Sequence, residues 1–312
     1  MVVFEKLSIE TSLISSVLTI GSFDGMHLGH LKVLDLVKQL AAKKTLPSVV
    51  ISFHPHPKVI LSRNNEHVSE SITSINKKLE LLDAIGIDYL WLLPFNKDIA
   101  NVTADLFLND YIMKNFNPND IVIGYDHHFG HNKEGNKDFL YNKSSVLNYK
   151  LHIISPFTLN STNVSSTNIR KNLKSNKLSL ANKMLGRKYE MSGNVIKGNG
   201  LGRKINFPTA NIKPICSNQL IPGRGVYCVD VILHNQKYLG MCNIGYRPTF
   251  YDSNNKVIEV HILTDNDLSL LNSEIKIIFK GFLRKENKYN SSDELVKQLE
   301  IDKKICIENY LT

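Results

Sequence analysis

The first half of the chain alternates short, nearly continuous apolar runs with longer segments whose apolar residues recur at helical spacing. Ser16–Ile20 (SVLTI), ending at Gly21, and Ser48–Phe53 (SVVISF), stopped by His-Pro-His-Pro, are predicted strands. Tyr89–Leu93 (YLWLL), Asp120–Gly124 (DIVIG) and Leu151–Ile154 continue the set. Between them, the segment LKVLDLVKQLAAKK after Gly29-His30, Lys77–Ile85 and Thr103–Asn115 are predicted helices; in the first, Leu34, Val37 and Ala41 share one face. Apolar strands alternating with helices predict an α/β, Rossmann-like parallel sheet covered on both faces.

The pattern changes near Leu185-Gly186-Arg187. From there the runs are short and β-rich: Glu190–Ile196, Gly225–Leu233, Tyr238–Ile244, Val257–Leu263 and Glu274–Leu283, punctuated by Gly, Pro and Asn. Such spacing predicts a small antiparallel β-barrel. A C-terminal helix closes it, with Ser291 and Glu294 as a capping box and Leu295, Leu299, Cys306 and Tyr310 along one face. Ser165–Lys183 is polar, helical in pattern and links the halves. The expected domains are therefore 1–184 and 185–312, and 312 residues suit two domains.

Composition narrows the class. Apolar residues make up 42% and charged residues 21%, as in a globular protein with a core. No apolar run approaches the roughly 20 residues needed to cross a bilayer. The N-terminus lacks a basic segment followed by a long apolar run, and the four cysteines form no C-x-x-C pair. A cytoplasmic protein with free thiols is expected. The net charge of +9 is spread, with no block of five consecutive basic residues. It reads as a solvated surface biased toward phosphate-bearing small molecules; no nucleic acid, membrane or obligatory protein partner is expected.

Candidate chemistry lies in two glycine-containing strings. Gly21-Ser-Phe-Asp-Gly-Met-His-Leu-Gly-His30 sits between a predicted strand and a predicted helix, at the carboxyl end of the strand, where open α/β sheets bind ligands. Gly29 allows backbone to approach a phosphate, the helix start favours an anion, and His27 and His30 can donate to phosphate oxygens as charge builds. The string resembles the H-x-G-H signature of the nucleotidyltransferase superfamily, and its G-x-F-D-G part resembles the bacterial FAD synthetase branch. Ser165-Ser-Thr-Asn-Ile-Arg170 resembles that family's segment closing over ATP phosphates, and Arg170 offers a planar charged fork. Phe53-His-Pro-His-Pro57 and Gly124-Tyr-Asp-His-His-Phe-Gly130 resemble its flavin-side walls, with His127 where the pattern has phenylalanine. The resemblance implies ATP contacts from Gly21, Phe23, Asp24, Gly29, Ser165, Ser166 and Thr167, and flavin contacts from Pro55, His56, Pro57 and Asp126. The histidines 54, 56, 127, 128 and 131 lack a Cys or carboxylate cluster at zinc spacing, so no protein-held zinc is expected.

Gly198-Asn-Gly-Leu-Gly-Arg-Lys-Ile-Asn-Phe-Pro-Thr-Ala-Asn211 is neither a Walker A loop nor G-x-G-x-x-G. Its G-R-x-x-x-F-P-T-A-N part resembles the riboflavin kinase signature. The resemblance implies that Gly198, Gly202, Arg203 and Pro208 meet ATP or flavin and that Thr209 and Asn211 hold Mg²⁺ with ATP; oxygen ligands suit magnesium. Asn243-Ile-Gly-Tyr-Arg-Pro-Thr249 and Ile258-Glu-Val-His261 resemble two further segments, and Phe282-Leu-Arg284 a third, with Arg284 against flavin or nucleotide. In a strand Glu259 and His261 point to one face. The family's base is that glutamate, so Glu259 is the implied general base. The whole chain resembles bacterial bifunctional riboflavin kinase/FAD synthetases, which use riboflavin, FMN and ATP. Two alternatives stand at this stage: a nucleotidyltransferase acting on pantetheine phosphate or nicotinamide mononucleotide, and a non-catalytic flavin- or nucleic-acid-binding protein on this scaffold.

Overall fold

The computed structural model describes residues 1–7, 13–61, 70–198, 201–246, 256–264, 268 and 270–310. The chain divides into two compact units, Met1–Ser166 and Thr167–Thr312.

The first unit is built on six parallel strands: β1 (Val2–Phe4), β2 (Ser16–Ile20), β3 (Ser48–His54), β4 (Tyr89–Pro94), β5 (Pro118–Gly124) and β6 (Lys150–Ile154). Their order is β1-β4-β3-β2-β5-β6. From β2 the chain winds one way to β3 and β4 and the other way to β5 and β6. The order therefore reverses at β2, and a crevice opens at its carboxyl end. All five residues of β2 are buried, because helices cover both faces. Leu18 and Ile20 pack with Trp91, Ile121 and Phe116 on one side; Val17 packs with Leu34, Val37, Leu82 and Val122 on the other. β1 escapes the apolar pattern because Val2 and Val3 lie exposed on an edge strand. The helix expected over Thr103–Asn115 is present, capped by the Thr103 hydroxyl, but its middle, Phe107–Met113, winds as a π-helix. Two short strands, β7 (Thr158–Leu159) and β8 (Thr162–Asn163), precede the end of the unit.

The second unit opens with two helices, Ser166–Lys174 and Leu178–Leu185, where the sequence pattern suggested one continuous segment. The break carries Asn176 at φ +62°, a left-handed conformation that asparagine tolerates. Asn182 fastens the second helix to the barrel: its Oδ1 accepts from the Tyr189 amide at 2.7 Å, and its Nδ2 donates to the Phe279 carbonyl at 3.1 Å. The barrel is closed and antiparallel, formed by β9 (Tyr189–Ile196), β10 (Ala210–Pro214), β11 (Gly225–Leu233), β12 (Gln236–Tyr246), β13 (Lys256–Ile262) and β14 (Glu274–Arg284). β10 was not expected; it is short, begins at the Ala210-Asn211 end of the Pro-Thr-Ala-Asn string and ends at Pro214.

The C-terminal helix, Ser292–Tyr310, lies on the outer face of the barrel. The Ser291 hydroxyl accepts from the Glu294 amide at 3.2 Å, and the Glu294 carboxylate accepts from Asn290 rather than from Ser291. Cys306, Leu299 and Tyr310 pack on Cys228, Leu239, Met241 and Phe207.

Candidate functional site

In the first unit the parallel strands bring three separate motifs to one edge. β2 ends at Ile20 just before Gly21, β3 ends at the His54–Pro57 turn, and β5 ends at Gly124. After β2 the chain passes through Phe23 (φ +45°), Gly25 (φ +88°) and Met26 (φ +41°) before the helix Leu28–Lys44 begins. His27 caps that helix: its Nδ1 accepts from the His30 amide at 3.3 Å. This bond fixes the tautomer, because a nitrogen that accepts leaves the ring proton on Nε2. The rings of His27 and His30 stack at 3.6 Å, and Phe23 meets His30 edge-on at 5.3 Å. Gly29 lies close to the histidine: a Cβ there would stand 3.2 Å from the His27 ring, which would have to give by a few tenths of an ångström. The same position is 3.7 Å from the Val164 carbonyl, so the Ser165-Ser166 segment runs beside the histidine turn. The Ser166 hydroxyl donates to the Asp24 carbonyl at 2.8 Å.

Asp24, expected to contact ATP, has a different immediate job. Its carboxylate is 2% exposed and accepts from the amides of Ile72 and Thr73 and from the Ser71 hydroxyl, at 2.9, 3.2 and 3.0 Å. On the other side of the loop stands Lys78, which no motif flagged. It is 6% exposed and donates to the Ser22 carbonyl at 2.7 Å and to the Ser52 hydroxyl at 3.3 Å. Burial pushes its pKa down to about 8, against the opposing pull of Asp24. Lys78 and Asp24 thus hold the strained loop from both sides.

The flavin-side segments flank this loop. His56 Nδ1 accepts from the Lys58 amide at 3.1 Å, and Pro57 starts a short helix, Pro57–Leu61. Asp126 is exposed beyond β5. A ladder of rings underlies both segments: Phe53 against Phe95 and Phe107, Phe107 against Phe129, and Phe129 against His127. Burial, with help from His128, pushes the His127 pKa down to about 4, so it stands as a neutral ring at neutral pH. Ser165 is half-buried and Thr167 is exposed at the start of the helix Ser166–Lys174; Arg170 is half-buried one turn further on.

In the second unit, strand register does the assembling. Asn211 on β10 lies opposite Glu259 on β13, and Glu259 lies opposite Asn243 on β12. Directly opposed residues share a face, so the three side chains form one row on the outside of the barrel. Their neighbours Ile258 and Val260 point inward and are buried. His261, two residues on, donates from Nδ1 to the Pro208 carbonyl at 2.7 Å and packs on Phe207 at 5.1 Å. It thereby ties the Phe-Pro-Thr-Ala-Asn string to β13. Side chains would not fit at Gly198 or Gly202: a Cβ would run into the Asn211 amide and the Phe207 carbonyl respectively. Thr209 is exposed beside this row and Asn211 is 5% exposed. The side chain of Arg203, residues 199–200 and the Arg247-Pro-Thr249 part of its motif lie outside the described residues. Arg284 is paired within the barrel unit. Its guanidinium makes a two-pronged pair with Asp302 at 2.8 to 3.0 Å, and Asp302 is 1% exposed. This pair locks β14 to the C-terminal helix.

These features define a nucleotide-using transferase with a parallel-sheet unit and a barrel unit, each carrying a glycine-lined loop beside polar side chains. A model of the FAD synthetase family matches residues 9–168, and a model of the riboflavin kinase family matches residues 185–310. A relative from Buchnera aphidicola subsp. Schizaphis graminum (strain Sg), a bifunctional riboflavin kinase/FMN adenylyltransferase, is 35% identical over 292 residues and covers 92% of both chains. A relative of the same description from Listeria monocytogenes serovar 1/2a is 36% identical over 289 residues, covering 93% of this chain and 90% of its own. A solved structure from Streptococcus pneumoniae, titled a macrolide-efflux protein, superposes with a TM-score of 0.89 at 30% identity, covering 99% of this chain and all of that one. The activity in that title belongs to that protein; among the described residues here, no helix is long and apolar enough to cross a membrane. The chain belongs to the family of bifunctional riboflavin kinase/FMN adenylyltransferases.

Proposed function

We propose that the second unit phosphorylates riboflavin to FMN and the first unit adenylylates FMN to FAD with release of pyrophosphate, both from ATP, with the residues assigned as follows. The ribityl alcohol of riboflavin is a poor nucleophile and must lose a proton as it attacks the γ-phosphorus. Glu259 takes that proton. It stands half-buried between Asn211 and Asn243 in the strand register. Thr209 and Asn211 supply oxygen to the magnesium that enters with ATP. Gly198 and Gly202, which have no side chain, let the loop pack directly against Asn211 and the Phe207 carbonyl, and their backbone is assigned to the phosphates on the sequence motif. Magnesium neutralises charge on the transferring phosphoryl group when bound.

The phosphate of FMN is already anionic and needs no base. His27, with its proton on Nε2, and His30 donate hydrogen bonds to the phosphate oxygens where charge builds as the phosphate attacks the α-phosphorus and pyrophosphate leaves. Arg170 is assigned to the same phosphates on its sequence motif. Pro55, His56, Pro57 and Asp126 are assigned to the flavin, whose ring suits the aromatic ladder ending at His127. The observation that carries this division is the fate of the carboxylates. Glu259 stands in an open row with oxygen-bearing partners, whereas Asp24, the carboxylate of the histidine loop, is consumed by backbone amides.

The catalytic domains are assigned as 1–184 and 185–312, the helices before Leu185 serving as support for the barrel. The enzyme is assigned to the cytoplasm, with small-molecule substrates and without a nucleic-acid, membrane or obligatory protein partner. Incubating the full chain with riboflavin, ATP and Mg²⁺ and separating the flavins by chromatography tests the proposal. FMN followed by FAD is expected. FMN without FAD under every metal and reductant condition would overturn the reading of the first unit, and no FMN would overturn that of the second.

A further inference from the structure

Asn243 occupies the end of the row that faces away from Asn211, directly across from Glu259. Its two amide atoms have opposite fates. Nδ2 donates to the Glu286 carboxylate at 3.4 Å, and Glu286 is itself held by Arg224. This contact sets which way the amide points, because the swapped orientation would press a carbonyl oxygen against a carboxylate. Oδ1 is left buried, with no hydrogen-bond partner among the described residues. A buried acceptor without a donor is unfavourable and rare in folded proteins, and it marks a place where a ligand completes the set. Neither residue across the ladder from it is its partner: Glu259 is assigned as the proton acceptor of the site, and Val226, on β11, is apolar. A donor brought in from outside, small enough to reach a buried oxygen beside the assigned base, would complete it.

We propose that Asn243 is a substrate-binding residue of the kinase site, its Oδ1 accepting a hydrogen bond from a hydroxyl of the riboflavin ribityl chain. The inference rests on the assignment of this site to riboflavin phosphorylation. It deepens that assignment by explaining how a flexible polyol is held with its terminal alcohol against Glu259. An acceptor fixed by Glu286 selects flavins that carry the hydroxyl chain over flavins that lack it.

The test uses the full chain and two ligands, riboflavin as substrate and lumiflavin, which has the flavin ring but no ribityl chain, as a competitive inhibitor of FMN formation. Asn243→Ala is expected to raise the KM for riboflavin about tenfold while the lumiflavin inhibition constant stays unchanged. Asn243→Ser, which keeps an accepting oxygen, is expected to fall between wild type and Ala, and decides the matter if the Ala variant does not fold. FAD formation from supplied FMN should be unaffected in both. A riboflavin KM that does not move, or that moves in step with the lumiflavin constant, overturns the inference. Absence of FMN formation by the wild-type chain is a different result, and it removes the assignment on which the inference rests.

Discussion

Raising the pH should stabilise the first unit through one buried amine. Lys78 is 6% exposed, and its pKa is pushed down to about 8 from an ordinary 10.5, first by burial, with Asp24 pulling the other way. His54, whose pKa is lowered by burial and by Lys78, is the other titratable group facing it. Because the folded pKa is depressed, the unfolded chain binds more protons than the folded one between about pH 8 and 10.5, so stability rises with pH across that window. The contribution is complete above the unfolded pKa and is lost as pH falls through the folded one. With those two values the gain by pH 10 is about 2.5 kcal/mol.

Lys78→Met, which does not titrate, serves as the reference and cancels every other group. The chain has a single tryptophan, Trp91, which is buried in the first unit, so its fluorescence during urea unfolding reports that unit alone. The difference in unfolding free energy, wild type minus Lys78→Met, should grow in favour of wild type by about 2.5 kcal/mol between pH 7.5 and pH 10. A difference that stays flat within about 0.5 kcal/mol would refute the placement of a charged amine in that core.

Three further outcomes follow from the geometry. Gly29→Ala should slow FAD formation and spare FMN formation in paired initial-rate assays, because its Cβ would displace the His27 ring from its stack on His30. His30→Ala should cost FAD formation roughly 10²–10³ in rate, with FMN still accumulating by chromatography. Asp302→Ala should destabilise the second unit by about 3–5 kcal/mol, because it leaves the Arg284 charge without its partner; chemical denaturation followed by far-ultraviolet circular dichroism measures it.

The elements with unbroken apolar runs were the legible ones. β2, β3 and β5 are buried on both faces, and an all-apolar run reports that condition directly. β1 and β10 were not legible, the first because an edge strand exposes its valines, the second because it is short and its first two residues belong to a binding string. The histidine loop and the Asn211–Glu259 pair could be named from their motifs, and the parallel sheet and the barrel register then place their members together. What could not be read was the employment of single charges. Lys78 sits in a lysine-rich helix that looks like a solvated surface, and only the packing of β2 and β3 over it makes it a buried clamp. Asp24 accepts from a backbone amide 48 residues away and Arg284 pairs with a carboxylate 18 residues away, pairings that no local pattern encodes.

The division of labour between a site with a base and a site without one is tested most directly by Glu259→Gln. The substitution keeps the shape of the side chain and removes its basicity, and loss of a general base lowers rates by roughly 10²–10⁴. Two initial rates on one folded preparation are needed, riboflavin to FMN and supplied FMN to FAD. The first rate should collapse and the second should stay at the wild-type value. Phosphorylation of riboflavin at near the wild-type rate would contradict the assignment of Glu259, and a matching fall in FAD formation would contradict the independence of the two sites.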